Sequence, residues 1–236
     1  MGILLKIYYA IHDNLFGFLK HLDGLALLAI RLFLAPVMIT AGMTKWRNFD
    51  STVQWFGNSE WGLGLPAPEL MAGLATGTEL IGGFLLLFGL AVRWVSVPLL
   101  VTMFVAATEV HLENGWFAIA PSDPTTSSAK LLADIGIPGA EESLKNSLEV
   151  DTRLERAKDI LREHGNYEWL TEKGSFAILN NGIEFAATYF IMLLVLFFWG
   201  GGRYFSLDYY FDRAARKALA DLGPPQRDLD DLNVPD

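Results

Sequence analysis

Four apolar stretches, each about 20 residues long, divide the chain and predict its fold. They cover residues 25–44, 70–90, 94–111 and 179–199. A helix of about 20 residues crosses the roughly 30 Å hydrocarbon core of a bilayer. The connection between the second and third stretches is so short that these two helices must form a tight antiparallel hairpin. The pattern therefore predicts an all-α protein, a four-transmembrane-helix bundle.

The remaining segments are predicted to lie at the membrane surface or outside it. We divide the chain into an N-terminal interfacial amphipathic helix, three spans, an external partly helical insertion, a fourth span and a cytoplasmic tail. In that order these are residues 1–22, 23–112, 113–178, 179–200 and 201–236. The insertion contains a helical pattern over residues 141–164. In the tail we expect a helix over residues 208–222, followed by about a dozen disordered residues.

Glycines in the second apolar stretch predict close helix packing. Gly73 and Gly77 have the small-xxx-small spacing, and Gly82 and Gly83 follow them. Residues without a side chain let a neighbouring helix approach closely inside a membrane. We therefore expect another helix to lie against this face of the second span.

The distribution of Lys and Arg predicts the orientation in the membrane. Four spans place both termini on one side, and six cations near the span ends lie on that side against three on the other. Cations near span ends favour the cytoplasm. We expect a multi-pass protein of the bacterial inner membrane with cytoplasmic termini and the insertion outside. The six are Lys20, Arg93, Arg203, Arg213, Arg216 and Lys217, and the three are Lys45, Arg47 and Lys173.

Composition narrows the chemistry. Of the 236 residues, 52% are hydrophobic, and the net charge is -9 without any basic stripe, so nucleic acid is not expected as a partner. Cysteine is absent, which excludes disulfide exchange, thiolate metal sites and a Cys nucleophile. The sequence has no Glu-x-x-His, HExxH or Walker motif, so we predict no metal site. It shows no ligand set for haem, flavin or iron–sulfur clusters either.

Ionisable residues within or beside the apolar stretches are the candidate functional groups. A charge at mid-membrane costs at least about 2.5–3.5 kcal/mol on insertion scales, so such residues indicate function by default. Glu79 is expected roughly 13 Å in from the outer face, with other polar residues closer to that face. Carboxylates held together in a low dielectric cannot all be ionised, which suits proton exchange with a quinone or another small substrate.

We therefore assign seven residues to an outward-facing pocket. The expected catalytic residues are Glu79, Glu109, His111 and Glu184, and the expected substrate contacts are Lys45, Trp46 and Arg31. Simpler interpretations stay open. Glu79 would pair with Arg31 or Lys45 and set the helix register. Glu109, His111 and Glu184 would be ordinary polar residues near an interface, and Trp46 would belong to an aromatic belt.

Residues spread along the chain occur in an order found in one family. They are Arg31, Gly42-Met43-Thr44-Lys45, Glu79 with Ile81-Gly82-Gly83, Gly89 with Arg93, Glu109, His111 with Asn114-Gly115, and Gly202-Arg203 with Ser206-Leu207-Asp208. In this combination the chain resembles the DoxX family of small four-helix membrane proteins. The resemblance covers about residues 25–208 with a gap, because compact members lack the long insertion.

The resemblance implies several roles. Some relatives resemble subunits of quinone-linked oxidoreductases, others are accessory proteins in redox stress, and more distant ones are receptors or assembly chaperones. We therefore expect a subunit of a quinone-linked redox system, with a quinone as its cofactor. The alternative is a non-catalytic scaffold or assembly chaperone that binds a membrane or periplasmic partner through residues 113–178. In both cases the lipid bilayer surrounds the spans.

Overall fold

The computed structural model describes residues 2–19, 22–123, 128–136 and 140–221, and most of these residues are helical. No strand occurs in these ranges apart from an isolated bridge between Ile119 and Leu179. The all-α prediction is confirmed. The helices are α1 (Gly2–Leu19), α2 (Asp23–Arg47), α3 (Phe49–Gly57), α4 (Pro68–Phe88), α5 (Val92–Val105), α6 (Ser128–Asp134), α7 (Ala140–His164), α8 (Tyr167–Thr171), α9 (Glu184–Trp199) and α10 (Leu207–Asp221).

Three helical segments are long and apolar enough to span a membrane, as the sequence predicts. They are Asp23–Arg47, Pro68–Phe88 and Val92–Asn114. The third changes its helical type: α5 continues as a π-helical turn over Ala106–His111 and a 3₁₀ turn over Leu112–Asn114. Single π-helical turns are rare and occur frequently at functional sites. This turn contains Glu109 and His111.

The fourth apolar helix, α9, is shorter than the sequence predicts. It has 16 residues and begins at Glu184, not near residue 179. The chain before it is extended, because the amides of Gly182, Ile183 and Glu184 donate to carbonyls of residues 115–117. Asn181 adopts a left-handed conformation with φ of 61°. These pairings take backbone donors away from a helix until Glu184.

The chain divides into two compact units. The first unit comprises Met1–Arg47, Thr76–Val97 and Val195–Asp236, and the second comprises Asn48–Ala75 and Pro98–Leu194. In the first unit, Leu34, Ala35, Leu86, Val92 and Leu196 are completely buried.

Two glycines bring α2 and α4 close together in the first unit. A Cβ on Gly42 would lie 2.6 Å from the Leu80 nitrogen, and one on Gly83 would lie 2.7 Å from the Ile39 side chain. The predicted close packing is thus confirmed at Gly83. It is wrong at Gly73 and Gly77, where a Cβ would meet nothing within 4 Å. Spacing alone does not reveal which helix face has a neighbour.

The helices outside the spans agree closely with those predicted from the sequence. The predicted helix in the insertion is confirmed as α7, with Val150 and Leu154 buried on one face. The helix predicted at the start of the tail is confirmed as α10, which ends at Asp221. The disorder predicted for the last residues falls in 222–236, outside the described residues. A helix forms at the N-terminus, α1, and its interfacial position stays a prediction.

Candidate functional site

An ion pair between α2 and α4 is the central polar feature of the first unit. Lys45 Nζ lies 2.5 Å from Glu79 Oε2, and the Glu79 side chain is only 4% exposed. Glu79 lies about 16 Å along α4 from Pro68, near the middle of that span. Lys45 belongs to the last turn of α2, so its long stem carries the ammonium to the carboxylate. Of the two pairings that the sequence left open for Glu79, the structure contains the one with Lys45.

Burial makes this pair unusual in energy and chemistry. Removing two charges from water is costly, and their attraction offsets that cost only while both partners are present. Loss of one partner leaves an uncompensated charge, an effect of about 3–5 kcal/mol in buried pairs. Such a pair can pass a proton between nitrogen and oxygen without changing its net charge.

Thr76 is a polar group beside this pair that the sequence analysis did not single out. It precedes Glu79 by three residues on α4, so the two side chains share a helix face. Thr76 is 2% exposed, and its hydroxyl has no hydrogen-bond partner among the described residues. The i, i+3 spacing from a mid-span carboxylate was the signal that could have identified it.

A shallow, open groove runs along one face of α2 and ends at Lys45. It has a volume of about 620 Å³ and is mainly apolar. Its lining residues recur three to four positions apart, so they follow one helix face for about 13 Å. They are Pro36, Val37, Thr40, Ala41, Thr44 and Lys45. The groove suits an extended apolar chain whose polar end meets the Lys45 ammonium.

Arg31 is fully buried and binds backbone carbonyls. Its guanidinium donates to the Leu86 oxygen at 3.1 Å and to the Phe205 oxygen at 2.7 Å. It therefore ties the end of α4 to the segment that precedes α10. The substrate contact predicted for Arg31 would require this tie to open.

Asp208 completes the same end of the first unit. Its two carboxylate oxygens accept from the amides of Ala91 at 2.6 Å and Val92 at 2.9 Å, which begin α5. Its own amide donates to the Gly89 carbonyl at 3.0 Å. Gly89 has φ of 67°, and a Cβ there would collide with Arg31 and Ser206. The α4–α5 turn is therefore held by the first residues of α10.

In the second unit, the side chains of His111 and Glu184 hold two loop segments, one around Asn181 and one around Ala118. His111 Nδ1 donates to the Asn181 carbonyl at 2.8 Å, an assignment that follows from the partner being an acceptor. Glu184 Oε2 accepts from the Ala118 amide at 2.9 Å. Glu109 is exposed on the π-helical turn. The structure thus gives His111 and Glu184 a role in holding the loop geometry.

The seven predicted residues fall into two groups. Arg31, Lys45, Trp46 and Glu79 belong to the first unit, whereas Glu109, His111 and Glu184 belong to the second. Trp46 is 65% exposed beside Lys45. A single pocket shared by all seven stays a prediction. Within the described ranges, no group of three or more His, Cys, Asp or Glu side chains is arranged to hold a metal ion.

Comparison with known proteins places these features in a family. The DoxX family model matches residues 26–112, from α2 to the end of the third span. A Bacillus subtilis protein named "Putative oxidoreductase CatD" is 33% identical over 96 residues, which are 41% of this chain and 67% of that protein. An uncharacterized protein of Haemophilus influenzae is 31% identical over 98 residues, 40% of this chain and 62% of that protein.

No solved structure matches the chain. The matched region contains the Lys45–Glu79 pair, Arg31 and the α4–α5 turn, whereas α6 to α10 lie beyond the family model. The similarity to the Bacillus subtilis protein extends over two thirds of that protein. This chain belongs to the DoxX family of membrane proteins.

Proposed function

We propose that the protein is a subunit of a quinone-linked redox system in the bacterial inner membrane, and that Lys45 and Glu79 handle protons for the quinone. The observation that carries the proposal is the ion pair itself, with a carboxylate 4% exposed in the middle of a span. An ionisable residue at this depth is expensive to keep and marks a functional site by default. The name of the Bacillus subtilis relative supports a redox link.

The groove and its neighbours suit a lipid-soluble ligand. The apolar lining of α2 receives an isoprenoid tail, and Lys45 at its end donates a hydrogen bond to a quinone carbonyl oxygen. Trp46 offers an exposed ring for stacking beside that position. The Thr76 hydroxyl, buried and unpartnered among the described residues, supplies a further hydrogen bond on the face of Glu79.

The reaction in this proposal is the two-electron reduction of a quinone. One quinone takes up two electrons and two protons and becomes a quinol. The electrons come from a redox centre on a partner subunit, and the Lys45–Glu79 pair delivers protons to the quinone oxygens. We assign proton exchange with the outer aqueous phase to the exposed Glu109 and to His111. Glu184, which binds a backbone amide, acts as a positioning residue.

The test is the quinone content of the protein purified from native membranes in mild detergent, measured by lipid extraction and mass spectrometry. We expect close to one quinone per chain in the wild type and at least a tenfold loss in Glu79→Gln and Lys45→Met. The matched control is Glu155→Gln, which breaks an exposed Lys–Glu pair on α7 and should leave the quinone content unchanged.

A charge swap tests whether the ion pair serves the quinone or only fixes the register between α2 and α4. The double variant Lys45→Glu/Glu79→Lys retains an ion pair between α2 and α4 but exchanges donor and acceptor. We expect it to insert and keep its unfolding midpoint while losing the quinone. Full retention of quinone in the swap, or a wild type without quinone, would overturn the proposal.

A scaffold function is the second candidate, and exposed apolar side chains in the insertion favour it. Leu131 is 66% exposed, Ile135 is 65% exposed and Trp169 is 68% exposed. On the topology proposed from the Lys and Arg distribution, this segment lies outside the cytoplasm and would meet a periplasmic or membrane partner. Replacing residues 125–172 by a short Gly/Ser linker should then release a stoichiometric co-purifying protein. Absence of any such protein from the wild type removes this candidate.

A further inference from the structure

The last described helix, α10, has an apolar face and a charged face. Leu207, Phe211, Ala214 and Ala218 are spaced by three or four residues and share one side. At 100° per residue, Asp212 and Arg216 lie on the opposite side, where Arg216 Nε is 2.7 Å from Asp212 Oδ2. The charged face is thus suited to water, whereas the apolar face is suited to contact with another apolar surface.

The first unit does not cover this apolar face. No residue of α10 is buried, and Phe211 is 61% exposed. Tyr210 is 54% exposed at the edge of the face, and Leu207 is 42% exposed. For an isolated helix in water this arrangement would be unfavourable, because each exposed apolar side chain loses the free energy of burial.

The position of α10 is set by hydrogen bonds to a turn at the membrane boundary. The turn at Gly89 joins two membrane spans through three residues, so it must lie at the boundary of the bilayer. Asp208 binds that turn through its amide and both carboxylate oxygens. The first turn of α10 is therefore fixed at the level of the boundary.

The start of α10 is defined locally as well. Ser206 is 2% exposed and its hydroxyl accepts from the Tyr209 amide at 3.3 Å, as an N-cap residue does. The helix begins after a short connection from the end of α9 at Trp199, itself the end of an apolar helix. The α4–α5 turn and the end of α9 thus both place the first turn of α10 beside the hydrocarbon.

We propose that α10 is an in-plane membrane helix whose apolar face is covered by the lipid bilayer surface. On a helical projection, Asp208 lies about 90° from the centre of the apolar face. Contact with the α4–α5 turn on that side therefore leaves the apolar face free of the turn and available to lipid. Amphipathic helices of this kind bury their apolar face about 5–10 Å into the interfacial region.

The flanking side chains fit the same orientation. Lys217 lies at the edge of the apolar face, where a long stem can run along apolar surface while the ammonium meets headgroups. Tyr210 flanks the same face, and its hydroxyl donates to the Tyr204 carbonyl at 3.0 Å. Tyrosine is enriched at this level of membranes because its ring is amphipathic.

The test uses the absence of cysteine from the chain. Single variants Phe211→Cys, Ala214→Cys and Ala218→Cys place a spin label on the apolar face. The matched variants Asp212→Cys, Arg213→Cys and Arg216→Cys place it on the charged face. The full-length protein is reconstituted in phosphatidylcholine nanodiscs, and power saturation measures collision with oxygen, which partitions into lipid, and with a water-soluble nickel chelate.

We expect oxygen to collide more often at 211, 214 and 218 and the nickel chelate at 212, 213 and 216, with a repeat of about 3.6 residues. Equal access of the nickel chelate to all six sites would overturn the proposal, since α10 would then project into water. Protection of 211, 214 and 218 from both reagents would also overturn it, because protein, including a second copy of the chain, would then cover the face. All six positions are exposed, so labels there should leave the fold intact.

Discussion

The same pair of residue types occurs in two regions of this protein with opposite consequences. In the first unit, Lys45 and Glu79 meet between two spans, and the Glu79 side chain is 4% exposed. In the second unit, Lys158 and Glu155 meet on one face of α7, and the Glu155 side chain is 50% exposed. Their N···O distances are 2.5 Å and 2.7 Å. Geometry alone would make the two pairs equivalent.

The surroundings of the carboxylates make the two pairs different. On α7, water solvates the half-exposed Glu155 carboxylate when its partner leaves, and exposed pairs of this kind contribute little to stability. Within the membrane span, no comparable solvation replaces the lost partner, so breaking the pair is far more costly. The comparison shows why an ion pair is informative about function only when its surroundings are known.

The largest expected effect is the loss of one partner of the buried pair. Glu79→Gln leaves the Lys45 ammonium without its carboxylate and should lower the free energy of unfolding by about 3–5 kcal/mol. Thermal or denaturant unfolding in detergent measures it. The control, Glu155→Gln, should change stability far less, and the double variant Lys45→Met/Glu79→Met should recover most of the loss. Equal effects of Glu79→Gln and Glu155→Gln would contradict the contrast between the regions.

The next largest effect on stability is expected at Gly42, where the backbones of α2 and α4 approach each other closely. Gly42→Leu pushes a side chain onto the Leu80 backbone and should destabilise the protein by about 1–3 kcal/mol, as overpacking does. Gly77→Leu is the matched control on α4, since a Cβ there meets nothing within 4 Å. The two variants are compared by unfolding midpoint in detergent. A destabilised Gly77→Leu with a normal Gly42→Leu would reverse this assignment.

A smaller effect is expected where α10 holds the α4–α5 turn. Asp208→Asn weakens two charge-assisted hydrogen bonds to the amides of Ala91 and Val92 and should cost about 1–2 kcal/mol, the size of a lost helix cap. Hydrogen exchange at those amides should rise in parallel. Asp212→Asn, whose carboxylate pairs with an exposed Arg216, is the control and should leave that exchange rate unchanged.

The smallest effect is the pH dependence of α7. The hydrogen bond from Lys158 lowers the pKa of Glu155 below its ordinary value. Folding therefore favours the carboxylate, and this contribution is present above the unfolded pKa of about 4.3 and lost as pH falls through the folded value. Circular dichroism melts at pH 6 and pH 3 should differ slightly less in Glu155→Gln than in the wild type. High salt should remove the difference; persistence in 1 M salt would count against it.

Much of the architecture was predictable, because a membrane leaves few alternatives. Long apolar stretches must become helices there, since hydrocarbon offers no partner for free backbone groups. The helix in the insertion and α10 were also identified from periodicity. The start of α9 was not, because Leu179 looks like the beginning of the apolar stretch. The amides of residues 180–183 instead bind carbonyls of residues 115–118.

The candidate site was predictable only in part. Glu79 and Lys45 were singled out because a charge in an apolar stretch is costly wherever the chain places it. Their mutual pairing was one of two alternatives, and the choice between Lys45 and Arg31 depends on helix rotation. Arg31 was expected to contact substrate or to pair with Glu79, but its guanidinium binds the carbonyls of Leu86 and Phe205.

The sequence by itself determined the class of protein, the approximate spans and the identity of the costly residues, since hydrophobicity and charge are properties of individual positions. Only the tertiary structure decided which of those residues meet. The approach of α2 and α4 at Gly42 and Gly83, and the return of Asp208 to the α4–α5 turn, join residues that are far apart in the chain. Such contacts depend on the packing of whole helices, and packing is a property of surfaces that no single position encodes.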